Sequence, residues 1–211
     1  MTKGFLISFE GIDGSGKTTQ LNRLIAHLQG QGYKVALLRE PGGTAISERI
    51  RELLLDARNQ IEPMAEALLY AAARAQLVRE VVIPMLNCGT IILADRFIDS
   101  TIAYQGYGRG LDISQLSEIN RMAAGGLEPE LTFLLDIPAP LAAERRQGSV
   151  PDRLEKEGLE FQSRIRAGYL ALAMELGRFR VIDGTQPVEQ ITEEIVEVVT
   201  QFLKGVGGVE N

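Results

Sequence analysis

The feature that most limits what this chain can become is Gly11-Ile12-Asp13-Gly14-Ser15-Gly16-Lys17-Thr18, a match to G-x-x-x-x-G-K-[ST]. The apolar run Phe5-Leu6-Ile7-Ser8-Phe9 precedes it and an amphipathic stretch to about Gln29 follows, so the context is a strand, a tight loop and a helix start. Glycines let main-chain N–H groups turn inward around a phosphate, and a helix N-terminus adds a favourable dipole. Lys17 can neutralise β and γ oxygens and Thr18 can ligate Mg²⁺, so residues from Gly11 to Thr19 are read as a cradle for ATP·Mg²⁺. A plain glycine-rich turn capping a helix is the bland alternative. The flanking strand and helix argue against it.

Four further apolar runs rich in β-branched residues recur along the chain: Val35 to Leu38, Ile91 to Ala94, Leu131 to Leu135 and Phe179 to Ile182. Near-continuous apolarity marks strands buried on both faces, as in a parallel sheet between helices. Helical periodicity falls between them, at about Lys17 to Gln29, Ala45 to Leu55, Pro63 to Leu86, Ser114 to Ala124, Ala139 to Arg146, Leu159 to Leu176 and Pro187 to Leu203. The expected architecture is a doubly wound α/β fold of the P-loop NTPase kind, a five-stranded parallel sheet flanked by helices, in one domain over 1–211. Such sheets place ligands outside the carboxyl ends of their strands.

Composition narrows the partners. A formal net charge of −6 argues against a polymer of nucleic acid, which is held through clustered Lys and Arg. Cys88 is the only cysteine, which rules out an intramolecular disulfide and a zinc cluster and suits a cytoplasmic setting. Cys88 is expected to be a small buried apolar residue, His27 a structural residue on a helix, and Glu155-Lys156-Glu157 a solvated face. Residues 1–4 run straight into a strand with no leader, no stretch is apolar and long enough to span a membrane, and the tail from Gly205 is expected to fray.

The cradle alone indicates nucleotide binding, since switches, motors and small-molecule kinases share it. No lysine is followed two positions later by aspartate, so a guanine reader of the N/T-K-x-D type is missing. Thr90-Ile91-Ile92-Leu93-Ala94-Asp95 is an apolar strand ending in a carboxylate, which would place Asp95 beside the Mg²⁺. Taken alone, Asp95-Arg96 reads equally well as a surface pair. Tyr70 and Arg74 stand four apart on a helix and share one face, able to hold a base between an aromatic plane and a guanidinium.

Five segments then resemble the thymidylate kinase family of the bacterial kind: Phe9 to Thr19, Arg39-Glu40-Pro41-Gly42-Gly43-Thr44, Tyr70 to Arg74, Asp95-Arg96 with Ser100 to Gln105, and Asp152-Arg153-Leu154-Glu155. The resemblance covers nearly the whole chain. It implies that Asp13 serves the acceptor side, that Glu40, Pro41 and Gly42 shape the monophosphate pocket and that Arg51 reaches its phosphate. It further implies that Tyr70 stacks on the base where the family usually has Phe, and that Arg74 bonds a thymine carbonyl. Arg96, Ser100, Thr101 and Gln105 join the dTMP site, and Tyr104 crowds the sugar 2′ position. A lid at about 145–155 supplies mobile positive charge, with Arg153 the first choice over Arg145 and Arg146 and with Asp152 holding Arg153 while the lid is open. Asp183 to Pro187, with Gln186, resembles an adenine-contacting loop and reads equally as a helix-capping turn.

The implied reaction is ATP + dTMP → ADP + dTDP, with Lys17, Arg153, Asp13 and Arg96 as its catalytic groups, and the implied assembly is a homodimer. Kinases of other nucleoside monophosphates, and a non-catalytic nucleotide-binding module, are the rival readings.

Overall fold

A computed structural model describes residues 4–148 and 152–207. Ser149, Val150 and Pro151 of the expected lid, the first three residues and the end of the tail lie outside the described residues. Five parallel strands, β1 (Leu6–Glu10), β2 (Val35–Arg39), β3 (Ile91–Asp95), β4 (Leu131–Asp136) and β5 (Phe179–Asp183), lie in the order β2-β3-β1-β4-β5. Pairing of β1 with β3 puts Phe9 opposite Asp95, and pairing with β4 puts it opposite Phe133. Strand order therefore reverses at β1, and the crevice that opens there lies at the carboxyl ends of β1 and β3.

Residues of β1 are all buried, as its apolar run requires, because strands cover both edges and helices both faces. Ile7 and Phe9 pack with Leu21, Leu24 and Leu28 of α1 (Lys17–Gly30) and with Ile191, Ile195 and Val199 of α9 (Val188–Gly207). The outer strands depart from the expectation of burial on both faces. Leu37 of β2 is 45% exposed and Val181 of β5 47% exposed, because an edge strand lacks one neighbour.

Local chemistry sets the helix starts. Thr44 caps α2 (Ala45–Leu55) by accepting from the Ser47 N–H, and Glu62 caps α3 (Pro63–Leu77), whose first residue is a proline with no N–H to lose. The single helix expected over Pro63 to Leu86 is interrupted: a π-helical turn at Val78–Val82 joins α3 to α4 (Ile83–Asn87). Pro84 cannot donate to the carbonyl of Glu80, and the Ile83 N–H bonds instead to the carbonyl of Val78, five residues back. Cys88 caps α4 and is exposed, not buried, since the chain turns outward there into Gly89.

One helical segment gave no periodic signal. Ile98–Thr101 (α5) continues into a π-helical stretch at Ile102–Gly108, and α6 (Ile113–Ala123) follows. Tertiary packing holds it: a Cβ on Gly108 would lie 2.8 Å from the Phe161 ring, and one on Gly168 of α8 (Gly158–Glu175) would lie 2.6 Å from the Tyr107 ring. Two glycines thus allow backbones to approach where side chains would hold them apart. α7 (Ala139–Arg145) follows β4 and leads into the segment expected as a lid. No helix among the described residues is long and apolar enough to cross a membrane.

Gly168→Ala tests that contact. Helix propensity favours alanine by about 1 kcal/mol, whereas forced overpacking costs about 1–3 kcal/mol. The expected outcome is a lower urea midpoint with an unchanged m-value, and an equal or higher midpoint would show that α8 has room to spare.

Candidate active site

The phosphate loop is shaped by backbone geometry that only glycine adopts without strain. Gly11 and Gly14 have φ of 133° and 89°. A Cβ on Gly11 would lie 2.6 Å from the Leu135 carbonyl, and one on Gly14 2.5 Å from the Ala142 carbonyl. Lys17 is buried and reaches back across the loop, Nζ donating to the carbonyls of Gly11 (2.9 Å) and Ile12 (3.3 Å). Burial, and next the positive Arg96, lower its pKa to about 8 against the pull of Asp13, Asp95 and Glu10.

Arg96 directly follows β3 and is the one non-glycine residue with positive φ (73°) among the described residues. Left-handed backbone costs an L-residue roughly 1–2 kcal/mol, and the surroundings hold it there. Its N–H donates to the carbonyl of Phe9 at 3.0 Å, Nη2 to Asp13 at 2.6 Å, and Nη1 to Tyr169 at 3.1 Å and Ser100 at 3.3 Å. Tyr104 lies under the guanidinium, ring centroid 4.9 Å away, and donates its hydroxyl to Asp13 at 3.1 Å. Burial opposes the charge on Asp13, but Arg96 and then Lys17 outweigh it and hold the carboxyl well below the usual range.

A cavity of about 90 Å³ opens on one side of Arg96. Asp13, Glu40, Pro41, Arg51, Tyr70, Arg74, Arg96, Ser100, Thr101, Tyr104 and Gln105 line it together with Leu55, Asp152 and Leu154. All the residues ascribed to the acceptor side by resemblance, with the exception of Gly42, are therefore brought to one place. A second cavity of about 320 Å³ is lined by Gly14, Gly16, Lys17, Thr18, Thr19, Asp95 and Arg145, and it shares Asp13, Glu40, Arg51 and Arg96 with the first. A third, of about 280 Å³, joins Ser15 and Gly16 to Gly184 and Gln186 after β5. Gly11 and Ile12 lie beneath the loop, Ile12 in the core.

The cavities have distinct chemistry. Arg74 is 2% exposed and nearly saturated: Nε donates to Glu40 (2.7 Å), Nη1 to Thr101 (3.0 Å) and Asn120 (2.6 Å), and Nη2 to the Phe97 carbonyl (3.2 Å). Four of its five N–H groups are used, which leaves one for a ligand. Burial raises the pKa of Glu40 against Arg74, and its Oε1 is buried with no partner among the described residues. Arg51 donates to the carbonyl of Pro41 at 2.9 Å, which aims it along the wall shared by the first two cavities. Burial, then the nearby Glu66 carboxylate, push the Tyr70 hydroxyl pKa upward.

Of the arginines assigned to a lid, Arg153 differs from expectation. Arg153 does not pair with Asp152. It is buried, Nη1 donating to Glu66 at 2.6 Å and Nε to the Leu54 carbonyl at 2.7 Å. Asp152 instead accepts the N–H groups of Leu154 and Glu155 at 2.9 Å, as a short carboxylate does when it caps a turn. Arg146 pairs with Glu155 at 3.0 Å and Glu157 with Arg109 at 2.6 Å, so two of the three residues read as a solvated run carry ion pairs. Arg145 donates to the Gly184 carbonyl at 3.0 Å and lines both cavities on the donor side.

Sequence reasoning missed Glu10, Tyr169 and Glu66. Glu10, the last residue of β1, is fully buried and accepts from the Phe97 N–H (2.8 Å), the Ser100 hydroxyl (2.6 Å) and the Tyr169 hydroxyl (2.8 Å). A charge closing an otherwise apolar strand was the available signal. Burial, then the Asp99 carboxylate, raise its pKa to about 7 against Arg96. A carboxyl raised in the folded state keeps its proton after the unfolded chain has released its own. Its stabilisation is complete below the unfolded value of 4.5 and is lost as pH rises toward about 7. Glu10→Gln, which cannot ionise, should flatten that decline, read as urea-unfolding free energies of both proteins at pH 5 and pH 7.5. Parallel pH slopes would refute the shift.

Similarity to known proteins runs along nearly the whole chain. The family model described as thymidylate kinase matches residues 9–195. The thymidylate kinase of Caldanaerobacter subterraneus subsp. tengcongensis is 48% identical over 204 residues, covering 96% of this chain and 98% of the relative. That of Pelotomaculum thermopropionicum is 49% identical over 211 residues, covering 96% and 98%, and that of Deinococcus radiodurans 48% over 204 residues, covering 95% and 98%. With a glycine loop feeding a helix, an arginine shared by two cavities and similarity along nearly its full length, the chain belongs to the thymidylate kinase family.

Proposed function

We propose that this chain transfers the γ-phosphoryl group of ATP to dTMP, giving ADP and dTDP. The observation that carries the reading is the pair of adjoining cavities, one built on the phosphate loop and one lined by Tyr70, Arg74 and Gln105, with Asp13, Arg51 and Arg96 common to both. Two anions that must react need charge between them, and that wall supplies it. A switch module would have no use for the second cavity.

The chain's own groups divide the work by position. Lys17 and the loop N–H groups take the donor phosphates, Arg51 and Arg96 hold the acceptor phosphate, and Asp13 fixes Arg96 from the loop side. Arg145, open to both donor cavities, takes the role for which Arg153 was the first choice, because Arg153 is committed to Glu66. No general base is required, since an acceptor phosphate oxygen is already anionic. It attacks the γ-phosphorus in line as the bond to the β-phosphate oxygen breaks, and positioning with charge neutralisation carries the rate.

Magnesium fits the donor cavity. The Thr18 hydroxyl and the Asp95 carboxylate both line it, and neither has a hydrogen-bond partner among the described residues. No cluster of three or more His, Cys, Asp or Glu exists among those residues, which suits an ion held by one carboxylate, a hydroxyl, water and phosphates. Bound there, Mg²⁺ would neutralise phosphate charge. A lid at 145–155, a homodimer and a cytoplasmic setting belong to the same reading and rest on the family likeness.

Incubation with ATP·Mg²⁺ and each nucleoside monophosphate, followed by ADP release, tests this directly, and dTMP should give the highest kcat/KM. Lys17→Ala should lower kcat by at least roughly 10²–10³, the loss seen when one preorganised donor to developing charge is removed, with circular dichroism unchanged. Equal turnover of all monophosphates, or activity retained in the variant, would sink the reading.

A further inference from the structure

Glu66 lies outside the cavities and has no part in the mechanism above. It is fully buried in α3, one turn before Tyr70, and four donor groups from three residues converge on its two oxygens. Oε1 accepts from Gln105 Nε2 at 2.8 Å and Arg109 Nε at 3.3 Å. Oε2 accepts from Arg109 Nη2 at 3.2 Å and Arg153 Nη1 at 2.6 Å. Arg109 is itself held by Glu157 at 2.6 Å and lies over the Phe161 ring, 4.8 Å from its centroid. The carboxylate is therefore fixed in place and in orientation.

The consequence falls on Gln105, which is 1% exposed and lines the acceptor cavity. A glutamine amide has two ends of similar shape and opposite function, an NH₂ that donates and a carbonyl that accepts. A carboxylate only accepts. Turning the amide over would press the Gln105 carbonyl against Glu66 Oε1 with no proton between them, in a place water does not reach. The NH₂ end must face Glu66, and the carbonyl oxygen is the end left for the cavity.

Resting on the kinase reading above, we propose that Glu66 sets base choice without touching substrate, by locking the Gln105 amide so that the acceptor cavity presents a carbonyl oxygen to the pyrimidine ring N3. The base end of the cavity is the end remote from the phosphate loop, where Tyr70, Arg74, Thr101 and Gln105 gather. Arg74 has one N–H left and Gln105 offers one acceptor, so the wall reads donor beside acceptor. Thymine and uracil carry the complementary edge, a carbonyl at C4 beside an N3–H. Cytosine carries an amino group beside a bare N3 and is opposed at both positions. Glu66 is a positioning residue in this account, and it acts on the N3 half of the readout.

The experiment measures kcat/KM for dTMP and dCMP with the unaltered enzyme, Glu66→Gln, Gln105→Leu and the double variant. A neutral amide at position 66 can donate or accept, so Gln105 becomes free to turn. Sites that lose a directed hydrogen bond lose roughly tenfold or more in discrimination, so the dTMP/dCMP ratio should fall by about that factor in Glu66→Gln, with KM for dTMP rising and KM for ATP holding. In the Gln105→Leu background, Glu66→Gln should change the ratio no further. A uniform loss of activity on both bases with the ratio intact would mean that Glu66 only supports the fold, and would overturn the proposal. Because loss of a buried carboxylate can prevent folding, the unaltered enzyme supplies a second arm: the Gln105 side-chain amide protons, held by Glu66, should exchange slowly with solvent by NMR. Exchange as fast as that of an exposed glutamine would also overturn it. Failure of the unaltered enzyme to phosphorylate any nucleoside monophosphate would remove the kinase reading itself, an outcome distinct from dTMP turnover with an unchanged ratio.

Discussion

The contact between Arg96 and Asp13, 2.6 Å long, joins the two halves of the site. Asp13 belongs to the loop between β1 and α1 and Arg96 to the turn after β3, so the pair closes the crevice exactly where strand order reverses at β1. From the guanidinium the network runs outward to Ser100 and Tyr169, and through them to the buried Glu10. The left-handed backbone at Arg96 is sustained because its N–H is bonded to β1 and its head group is gripped from three elements.

Charge buried around the site is held for position and not for stability. Arg74 with Glu40 at 2.7 Å, and Glu66 with Arg153 and Arg109, are pairs that desolvation penalises and that apolar residues of similar size could often replace at no loss. What an apolar replacement could not do is point a single N–H or a single carbonyl into a cavity. Each partner removes a degree of freedom from its neighbour: Glu40 orients Arg74 and Glu66 orients Gln105, both on the acceptor cavity, and Glu10 orients Ser100 on that cavity and the buried Tyr169 behind it. The same saturation explains why Arg74 has only one donor to offer, and why Arg153 is a poor choice for a mobile charge.

Some of this was legible along the chain because it depends on neighbours in sequence. The five strands stand within a residue or so of the apolar runs, since a strand in a sheet between helices reads as a nearly continuous apolar run, and α1 begins at Lys17 because the loop before it is glycine-rich. Helical segments that depend on tertiary support were not legible. Ile98–Gly108 has no helical periodicity and is held by α8 through Gly108 and Gly168, while Pro84 hides a π-helical turn inside an otherwise convincing pattern. Cys88 was misjudged because a cysteine before a strand is commonly buried, whereas here it caps a short helix.

By itself, the sequence determined the sheet and the phosphate loop, because motifs and hydrophobic period are local and survive without knowledge of contacts, and its resemblance to a family named most of the residues that line the acceptor cavity. Only the tertiary structure decided what each charged group is paired with. Glu66 is 39 residues from Gln105 and 87 from Arg153, and Glu10 is 159 from Tyr169. Hydrogen bonds and ion pairs act over a few ångströms of space irrespective of distance along the chain, so the number of free donors on Arg74, the commitment of Arg153 and the orientation of Gln105 came into existence when the chain folded.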